Sequence, residues 1–94
     1  MILLVMYQLK SPEAVSPLCE AIESFGPSCH FFDSFFLLCS KESPLDLQKA
    51  LHLCVDGQVD ILVSPLAREH TEYLPRKAHD WLAAHHDWLA DPGD

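Results

Sequence analysis

Residues 29–40 read CHFFDSFFLLCS, the most informative part of the chain for its architecture. Two β-rich runs, 29–32 and 35–40, flank Asp33 and Ser34, two residues that tolerate the backbone geometry of a tight turn. The pattern therefore predicts a β-hairpin. Because the aromatic and aliphatic residues of both runs are nearly consecutive, both faces of this hairpin are apolar. We expect one face to pack on helices and the other to be covered by a partner or by the tail of the chain.

The residues before the hairpin predict a strand and then a helix. Residues 2–7 are continuously apolar, which is typical of a central strand covered on both faces. Ser16 and Pro17 are residue types preferred at a helix N-cap and at the first helical position, and Gly26 with Pro27 predicts the end of that helix. The apolar face of this helix is predicted to comprise Leu18, Ala21, Ile22 and Phe25.

The residues after the hairpin repeat the helix and strand signals. Ser43 and Pro44 predict a second helix start, with Asp46 in its first turn. Residues 60–64 predict a last strand, which Pro65 ends. The predicted buried positions of the second helix are Leu47, Ala50, Leu51 and Cys54.

The resulting order, βαββαβ, predicts an α+β fold with a ferredoxin-like antiparallel sheet and two helices on one face. With 94 residues, of which 49% are hydrophobic, the whole chain is predicted to be one domain. Its core is predicted to span residues 1–65, and an added C-terminal helix is predicted over residues 74–90.

The C-terminal segment contains a short repeat. HDWLA at residues 79–83 recurs at residues 86–90, seven positions later, so Trp81 and Trp88 fall on one helical stripe. We expect this stripe to pack inside the protein or in a dimer interface. The equivalent histidines are two helical turns apart, roughly 10 Å along the axis, so the pattern does not favour a metal site.

The charges and cysteines narrow the class of protein. Six Lys and Arg residues against 14 Asp and Glu residues give a net charge of −8, which disfavours nucleic acid as a partner. The spacing of Cys19, Cys29, Cys39 and Cys54 matches neither a zinc motif nor a disulfide framework. The first apolar run is too short to cross a bilayer and lacks the marks of a secretion signal. We therefore expect a cytoplasmic protein with reduced thiols and no membrane contact.

Four short motifs, in their order and spacing, resemble a known family. They are Tyr7-Gln8-Leu9, Ser16-Pro17-Leu18, the stretch HFFDS at residues 30–34, and Tyr73-Leu74-Pro75 followed by Trp81. Together they resemble the SinR-like family of small bacterial proteins. That family is similar in fold to the CRISPR-associated adaptation protein that joins the integrase and to VapD-type toxins. The resemblance covers most of residues 1–82.

The resemblance implies a homodimer whose sheets pack face to face. In active relatives it implies a metal-dependent phosphodiesterase with one aspartate per subunit at the end of the first strand. Gln8 occupies that position here, and a neutral amide does not supply the anionic oxygen that Mg²⁺ prefers. We therefore expect a catalytically silent binding or scaffold protein that uses no metal or cofactor. The predicted binding residues are Tyr7, Gln8 and Ser34, and the predicted interface residues are Phe31, Phe35, Trp81 and Trp88.

Two other functions remain open from the sequence. One is a metal-dependent endonuclease or toxin–antitoxin component of the same superfamily that draws its metal ligand from elsewhere in the chain. The other is a regulator that binds a basic protein partner through the acidic surface. Ser34 is more simply explained as a turn residue than as a nucleophile. His30 is more simply explained as a hydrogen-bonded core or interface residue than as a catalytic base.

Overall fold

The computed structural model describes residues 1–89. Over this range the chain has the α+β class that the sequence predicts, with a four-stranded antiparallel sheet and three α-helices. The strands are β1 (Ile2–Leu9), β2 (Ser28–Phe31), β3 (Phe35–Cys39) and β4 (Val59–Pro65). The α-helices are α1 (Val15–Ser24), α2 (Pro44–Cys54) and α3 (Arg76–Ala84), with short 3₁₀ turns at Pro12–Ala14 and His86–Trp88.

The strand order across the sheet is β2-β3-β1-β4, so β1 is central as its continuous apolar run predicts. β1 pairs antiparallel with β3 from Ile2 opposite Cys39 to Met6 opposite Phe35. On its other side it pairs with β4 from Leu3 opposite Pro65 to Leu9 opposite Val59. β2 and β3 form the predicted hairpin.

Alternation along the strands gives the sheet two apolar faces. One face, here called the α1/α2 face, packs against the first two helices and forms a cluster with Leu18, Ile22, Leu47 and Leu51 at its centre. The opposite face, here called the α3 face, packs against the third helix. Its buried cluster consists of Ile2, Cys29, Phe31, Leu37, Cys39, Ala78, Leu82 and Leu89. Of the two covers expected for the outer face of the hairpin, the one observed is the tail of the chain.

The start of α2 follows its sequence signal, whereas the start of α1 does not. The Ser43 hydroxyl oxygen accepts a hydrogen bond from the Asp46 backbone N–H at 3.1 Å, which confirms the predicted N-cap. The predicted N-cap at Ser16 is wrong, because a 3₁₀ turn that begins at Pro12 leads directly into α1 at Val15. Pro17 then lies in the first helical turn, where its missing N–H has no intrahelical partner to lose.

Two further predictions about local structure need correction. Cys54 is exposed rather than buried and Ala50 is only half-buried, since α2 ends at Cys54 and Val55 fills the core position instead. The hairpin turn has three residues rather than two, because the ladder closes at Phe31 opposite Phe35. Phe32 therefore joins the loop, with a φ of 52°.

The C-terminal repeat does not form one continuous helix. α3 ends at Ala84, and His85 leaves the helical conformation with φ −116° and ψ 24°. The His85 Nδ1 atom lies 2.8 Å from the Trp81 carbonyl oxygen, so the ring competes for a carbonyl of the last turn. The break lets Leu89 reach the buried cluster on the α3 face. Residue 90, the last of the predicted extension, lies outside the described residues.

Gly26 is required by a close backbone approach after α1. Its φ is +155°, and a Cβ atom added there would lie 2.1 Å from the Cys39 carbonyl oxygen. Beside it, the Cys39 N–H donates to the Pro27 carbonyl oxygen at 2.8 Å. This contact brings the end of α1 onto the hairpin and so positions both layers.

The four cysteines form no disulfide with one another, and Cys29 and Cys39 are buried whereas Cys54 is exposed. Burial raises the pKa of the Cys39 thiol to about 11. Among residues 1–89, no helix combines the length and the apolar character that crossing a membrane requires.

Candidate functional site

The three predicted binding residues meet in one surface cleft at the end of β1. The cleft has a volume of about 530 Å³ and lies between β1, the start of β4 and the hairpin loop. We call it the strand-end cleft. Its lining residues are Met6, Tyr7, Gln8, Ser34, Phe35, Asp60, Ile61 and Leu62.

Gln8 lies directly opposite Asp60 in the β1–β4 register, so both side chains emerge on the α3 face. Sequence reasoning missed Asp60, because only the strand pairing brings it beside Gln8. The Asp60 carboxylate forms an ion pair with the Lys10 ammonium group at 3.6 Å, and both side chains are largely exposed. Gln8 itself carries no negative charge. The carboxylate beside it belongs to Asp60 and is already paired with the Lys10 ammonium group.

Tyr7 points to the α1/α2 face and anchors the hairpin loop. It is 6% exposed. Its hydroxyl group donates to the Asp33 carbonyl oxygen at 3.0 Å, and its backbone N–H donates to the Ser34 carbonyl oxygen at 3.0 Å. Burial raises the pKa of the Tyr7 hydroxyl to about 12, with further contributions from the Cys19 thiol beside it and from the Asp33 carboxylate. Tyr7 is therefore a positioning residue for the loop that carries Ser34.

His30 belongs to the same anchor. Its ring stacks on Phe36 with centroids 4.2 Å apart and an interplanar angle of 7°. The Nε2 atom lies 3.3 Å from the Tyr7 hydroxyl oxygen and 3.4 Å from the Asp33 carbonyl oxygen. A carbonyl oxygen only accepts, so Nε2 contributes to this contact in the tautomer that carries its proton there. The structure thus places His30 as a hydrogen-bonded packing residue.

The histidines of the C-terminal segment have separate partners. His79 bonds through Nδ1 to a Glu72 carboxylate oxygen at 2.5 Å, which raises the pKa of His79 and lowers that of Glu72. The His85 ring stacks on Trp81, with centroids 4.3 Å apart. The His86 Nδ1 atom lies 3.3 Å from an Arg68 guanidinium nitrogen. Within residues 1–89, no three His, Cys, Asp or Glu side chains are grouped as a metal site would require.

The four predicted interface residues all belong to the α3 face. Phe31 is buried there at 6% exposure, so its own chain already uses most of its surface. Phe35, Trp81 and Trp88 pack at the margin of the same cluster and are half-buried.

α3 leaves one strip of that face uncovered. Met6 is 38% exposed and Leu62 is 51% exposed. The strand register places Met6 opposite Phe35 on one side and opposite Leu62 on the other. These three side chains form one row across β3, β1 and β4, which we call the Met6 row. Gln8 and Asp60 lie in the next row on the same face, and together the two rows line most of the strand-end cleft.

A second, more apolar cleft adjoins this surface. It has a volume of about 320 Å³ and lies between the hairpin and the segment that leads into α3. Phe35 lines both clefts, and Tyr73 stands fully exposed at the edge of the second. The uncovered apolar surface is therefore continuous from β4 to the hairpin.

Comparisons with protein-family models, with curated proteins and with solved structures found no match to this chain. The chemistry of the two clefts must therefore be inferred from their own residues.

Proposed function

We propose that this protein is a non-catalytic, homodimeric binding domain that uses the strand-end cleft and the Met6 row to contact another protein. The observation that carries the proposal is the Met6 row itself, in which the exposed side chains of Met6 and Leu62 continue the half-buried Phe35 across the sheet. Contiguous apolar surface of this kind, rimmed by polar groups, is typical of protein interaction sites.

The rim of the row supports recognition rather than chemistry. Gln8 offers an amide, Ser34 a hydroxyl group, and Asp60 a carboxylate that forms an exposed ion pair with Lys10. Such groups orient a partner through hydrogen bonds at the edge of an apolar contact. The net charge of −8 favours a partner with basic residues around its own apolar contact.

We also propose that the fold is ferredoxin-like and that the chain is related to the SinR-like proteins. The strand order β2-β3-β1-β4, with α1 and α2 packed on one face, supports the first part of this proposal. The presence of Tyr7, Gln8 and Ser34 around one cleft supports the second, because two of the four motifs that carry the resemblance, residues 7–9 and residues 30–34, contribute to its lining.

One observation favours a second candidate, a metal-dependent endonuclease. Asp60 brings a carboxylate next to the position of the catalytic aspartate that the resemblance implies. Against it, the carboxylate is paired with Lys10, and a divalent cation would have to displace that ammonium group. A single exposed carboxylate and an amide also make a weak ligand set for Mg²⁺.

A cleavage assay separates the two candidates. Purified protein is incubated with labelled single- and double-stranded DNA and RNA in Mg²⁺ or Mn²⁺, and we expect no cleavage. The matched variants are Gln8→Ala, which removes the amide, and Asp60→Asn, which removes the carboxylate but keeps its shape. Metal-dependent cleavage that either variant reduces would overturn the non-catalytic proposal. Cleavage gained by Gln8→Asp would support descent from an active nuclease.

Two further measurements test the binding domain. Light scattering at micromolar concentration is expected to give twice the 10.6 kDa mass of the chain, and a monomer contradicts the homodimer.

Nile red, a neutral apolar dye, is expected to bind several-fold less well to Met6→Lys than to the unaltered protein. The control is Leu53→Lys, since Leu53 is an exposed leucine on α2. Equal dye binding by both variants would show that the Met6 row is not the accessible apolar surface.

A further inference from the structure

The two edges of the sheet differ in how their backbone groups are used. At the β2 edge the Lys77 ammonium group of α3 donates to the His30 carbonyl oxygen at 3.1 Å. α3 also packs along β2, so its own chain covers this edge. The β4 edge has no strand beside it in the described sheet. A row of backbone groups without ladder partners is a template for a further strand.

The register identifies which β4 residues face outward. The Lys10 N–H donates to the Gln58 carbonyl oxygen, and the Leu66 N–H donates to the Ile2 carbonyl oxygen. Hydrogen-bonded pairs alternate along an antiparallel ladder, so the even-numbered residues between 58 and 66 direct their backbone groups to β1. The residues that direct theirs outward are Val59, Ile61, Val63 and Pro65.

The two ends of this edge are chemically unequal. The Val59 carbonyl oxygen already has a partner, because the His52 Nε2 atom lies 3.1 Å from it. Pro65 has no N–H to donate. One end of the edge thus lacks a free acceptor and the other lacks a donor. Between them, the outward N–H and carbonyl groups of Ile61 and Val63 have no hydrogen-bond partner among residues 1–89.

We propose that two copies of the chain pair through β4, antiparallel and centred on Leu62, to form one continuous sheet. In this register Ile61 of each copy exchanges hydrogen bonds with Val63 of the other. Pro65 lies opposite Val59 of the second copy, so the missing donor faces the carbonyl group that His52 already satisfies. The proposal rests on the homodimer of the proposed function and specifies its interface. It replaces the face-to-face packing of sheets that the resemblance implies, because helices of the same chain pack on both faces of this sheet.

The side chains select the same register. Centring on Leu62 places Leu62 against Leu62 and Asp60 against Ser64, so no two carboxylates meet. Centring on Asp60 would set two carboxylates face to face in a chain of net charge −8. Centring on Val63 would set Pro65 opposite Ile61, whose carbonyl group would then lack a donor. Centring on Ile61 would set the exposed Leu62 against Asp60.

The pairing also extends the proposed binding surface. Leu62 ends the Met6 row at the β4 edge of the sheet, so pairing about Leu62 joins the rows of the two copies across the twofold axis. Residues of equal parity stay on the same face of the joined sheet. The strand-end clefts of both copies therefore open on one side of the dimer.

A disulfide experiment tests this geometry. Opposed residues in a pair without ladder hydrogen bonds have Cα atoms about 4.5 Å apart, which a disulfide spans. Leu62→Cys is therefore expected to form a covalent dimer under mild oxidation. Asp60→Cys is the matched control on the same face and strand, since the two copies of residue 60 would lie about 14 Å apart. Both variants carry Cys54→Ser, because Cys54 is exposed.

The outcomes distinguish the interface from the dimer. Efficient cross-linking of Leu62→Cys, with little for Asp60→Cys, is the expected result. A dimer by light scattering in which Leu62→Cys cross-links no better than Asp60→Cys overturns the β4 pairing and leaves the homodimer standing. A monomer overturns both.

As a second variant, Leu62→Lys is expected to raise the dimer dissociation constant at least tenfold relative to Leu53→Lys. Circular dichroism confirms that each variant is folded.

Discussion

The ammonium nitrogen of Lys77 lies 3.1 Å from the backbone carbonyl oxygen of His30. This bond ties α3 to the β2 edge of the sheet and brings the C-terminal segment onto the hairpin. It is a direct polar link between the third helix and the hairpin strand beside it.

Lys77→Met tests that link. The variant keeps the length of the side chain but removes its donor, leaving the His30 carbonyl group to water. We expect the free energy of unfolding to fall by about 0.5–1.5 kcal/mol, the net contribution of a typical intramolecular hydrogen bond. Urea denaturation measures the loss. Lys49→Met, at an exposed position of α2, is the control, and an equal loss there would remove any special role of Lys77.

Leu82→Ala tests whether α3 forms a separate folding unit on the sheet. Leu82 is 6% exposed in the α3-face cluster, so truncation should cost about 2–4 kcal/mol. Both tryptophans of the chain, Trp81 and Trp88, lie in or after α3, so their fluorescence reports its docking. We expect the fluorescence transition of this variant to precede the far-ultraviolet circular dichroism transition.

Leu51→Ala is the counterpart in the other cluster. Leu51 is fully buried on the α1/α2 face, and its truncation should shift both transitions together. Coincident transitions in Leu82→Ala as well would show that α3 and the sheet unfold as one unit.

Tyr7→Phe tests the anchor of the hairpin loop. Removing the hydroxyl group leaves the Asp33 carbonyl oxygen and the His30 ring without their shared partner, and we expect the free energy of unfolding to fall by about 1–2 kcal/mol.

Because the pKa of Tyr7 is raised to about 12, the folded state loses stability as the pH rises above the ordinary pKa of 10.0. Absorbance titration of Tyr73→Phe, which leaves Tyr7 as the sole tyrosine, should show a midpoint near 12. A midpoint near 10.0 would mean that the hydroxyl group is not buried.

The Glu72–His79 pair predicts a pH window for the docking of α3. Because the pKa of His79 is raised, the ion pair contributes stability that is fully present below pH 6.5, the ordinary pKa of histidine. That stability is lost as the pH rises through the pKa that His79 has in the folded state. The lowered pKa of Glu72 contributes stability that is present above 4.5 and is lost as pH falls through its folded-state value. The stability difference between the unaltered protein and His79→Gln should therefore be largest between pH 4.5 and 6.5. Thermal denaturation across pH 4–9 measures it, and a difference that does not vary with pH would contradict the ion pair.

Local signals in the sequence were enough for the hairpin, for α2 and for the central position of β1. Each depends on residues close together in the chain, such as Ser43, whose hydroxyl group caps a helix three residues on. The start of α1 was not predictable in the same way. Ser16 and Pro17 have the same residue types as Ser43 and Pro44. The 3₁₀ turn that begins at Pro12 leads into α1 at Val15, so the helix has already begun before Ser16.

The strand-end cleft was predicted only in part, because its make-up depends on strand register. The sequence suggested that Tyr7, Gln8 and Ser34 would matter, and the structure places them around one cleft. It did not indicate Asp60, since no local pattern says which residue of the last strand lies opposite Gln8. It also did not indicate that Tyr7 points to the opposite face from Gln8, where it serves the loop rather than a ligand.

The apolar character of both faces of the sheet has a practical consequence for protein engineering. A version shortened to residues 1–65 would retain every strand and the first two helices, yet it would uncover the contacts that Ala78, Leu82 and Leu89 make with Ile2, Phe31 and Leu37. Such a fragment would tend to aggregate, because the uncovered face of its sheet would expose a broad hydrophobic surface to other molecules. Reporter fusions and affinity tags should therefore be attached at sites that leave α3 and Leu89 packed on the sheet.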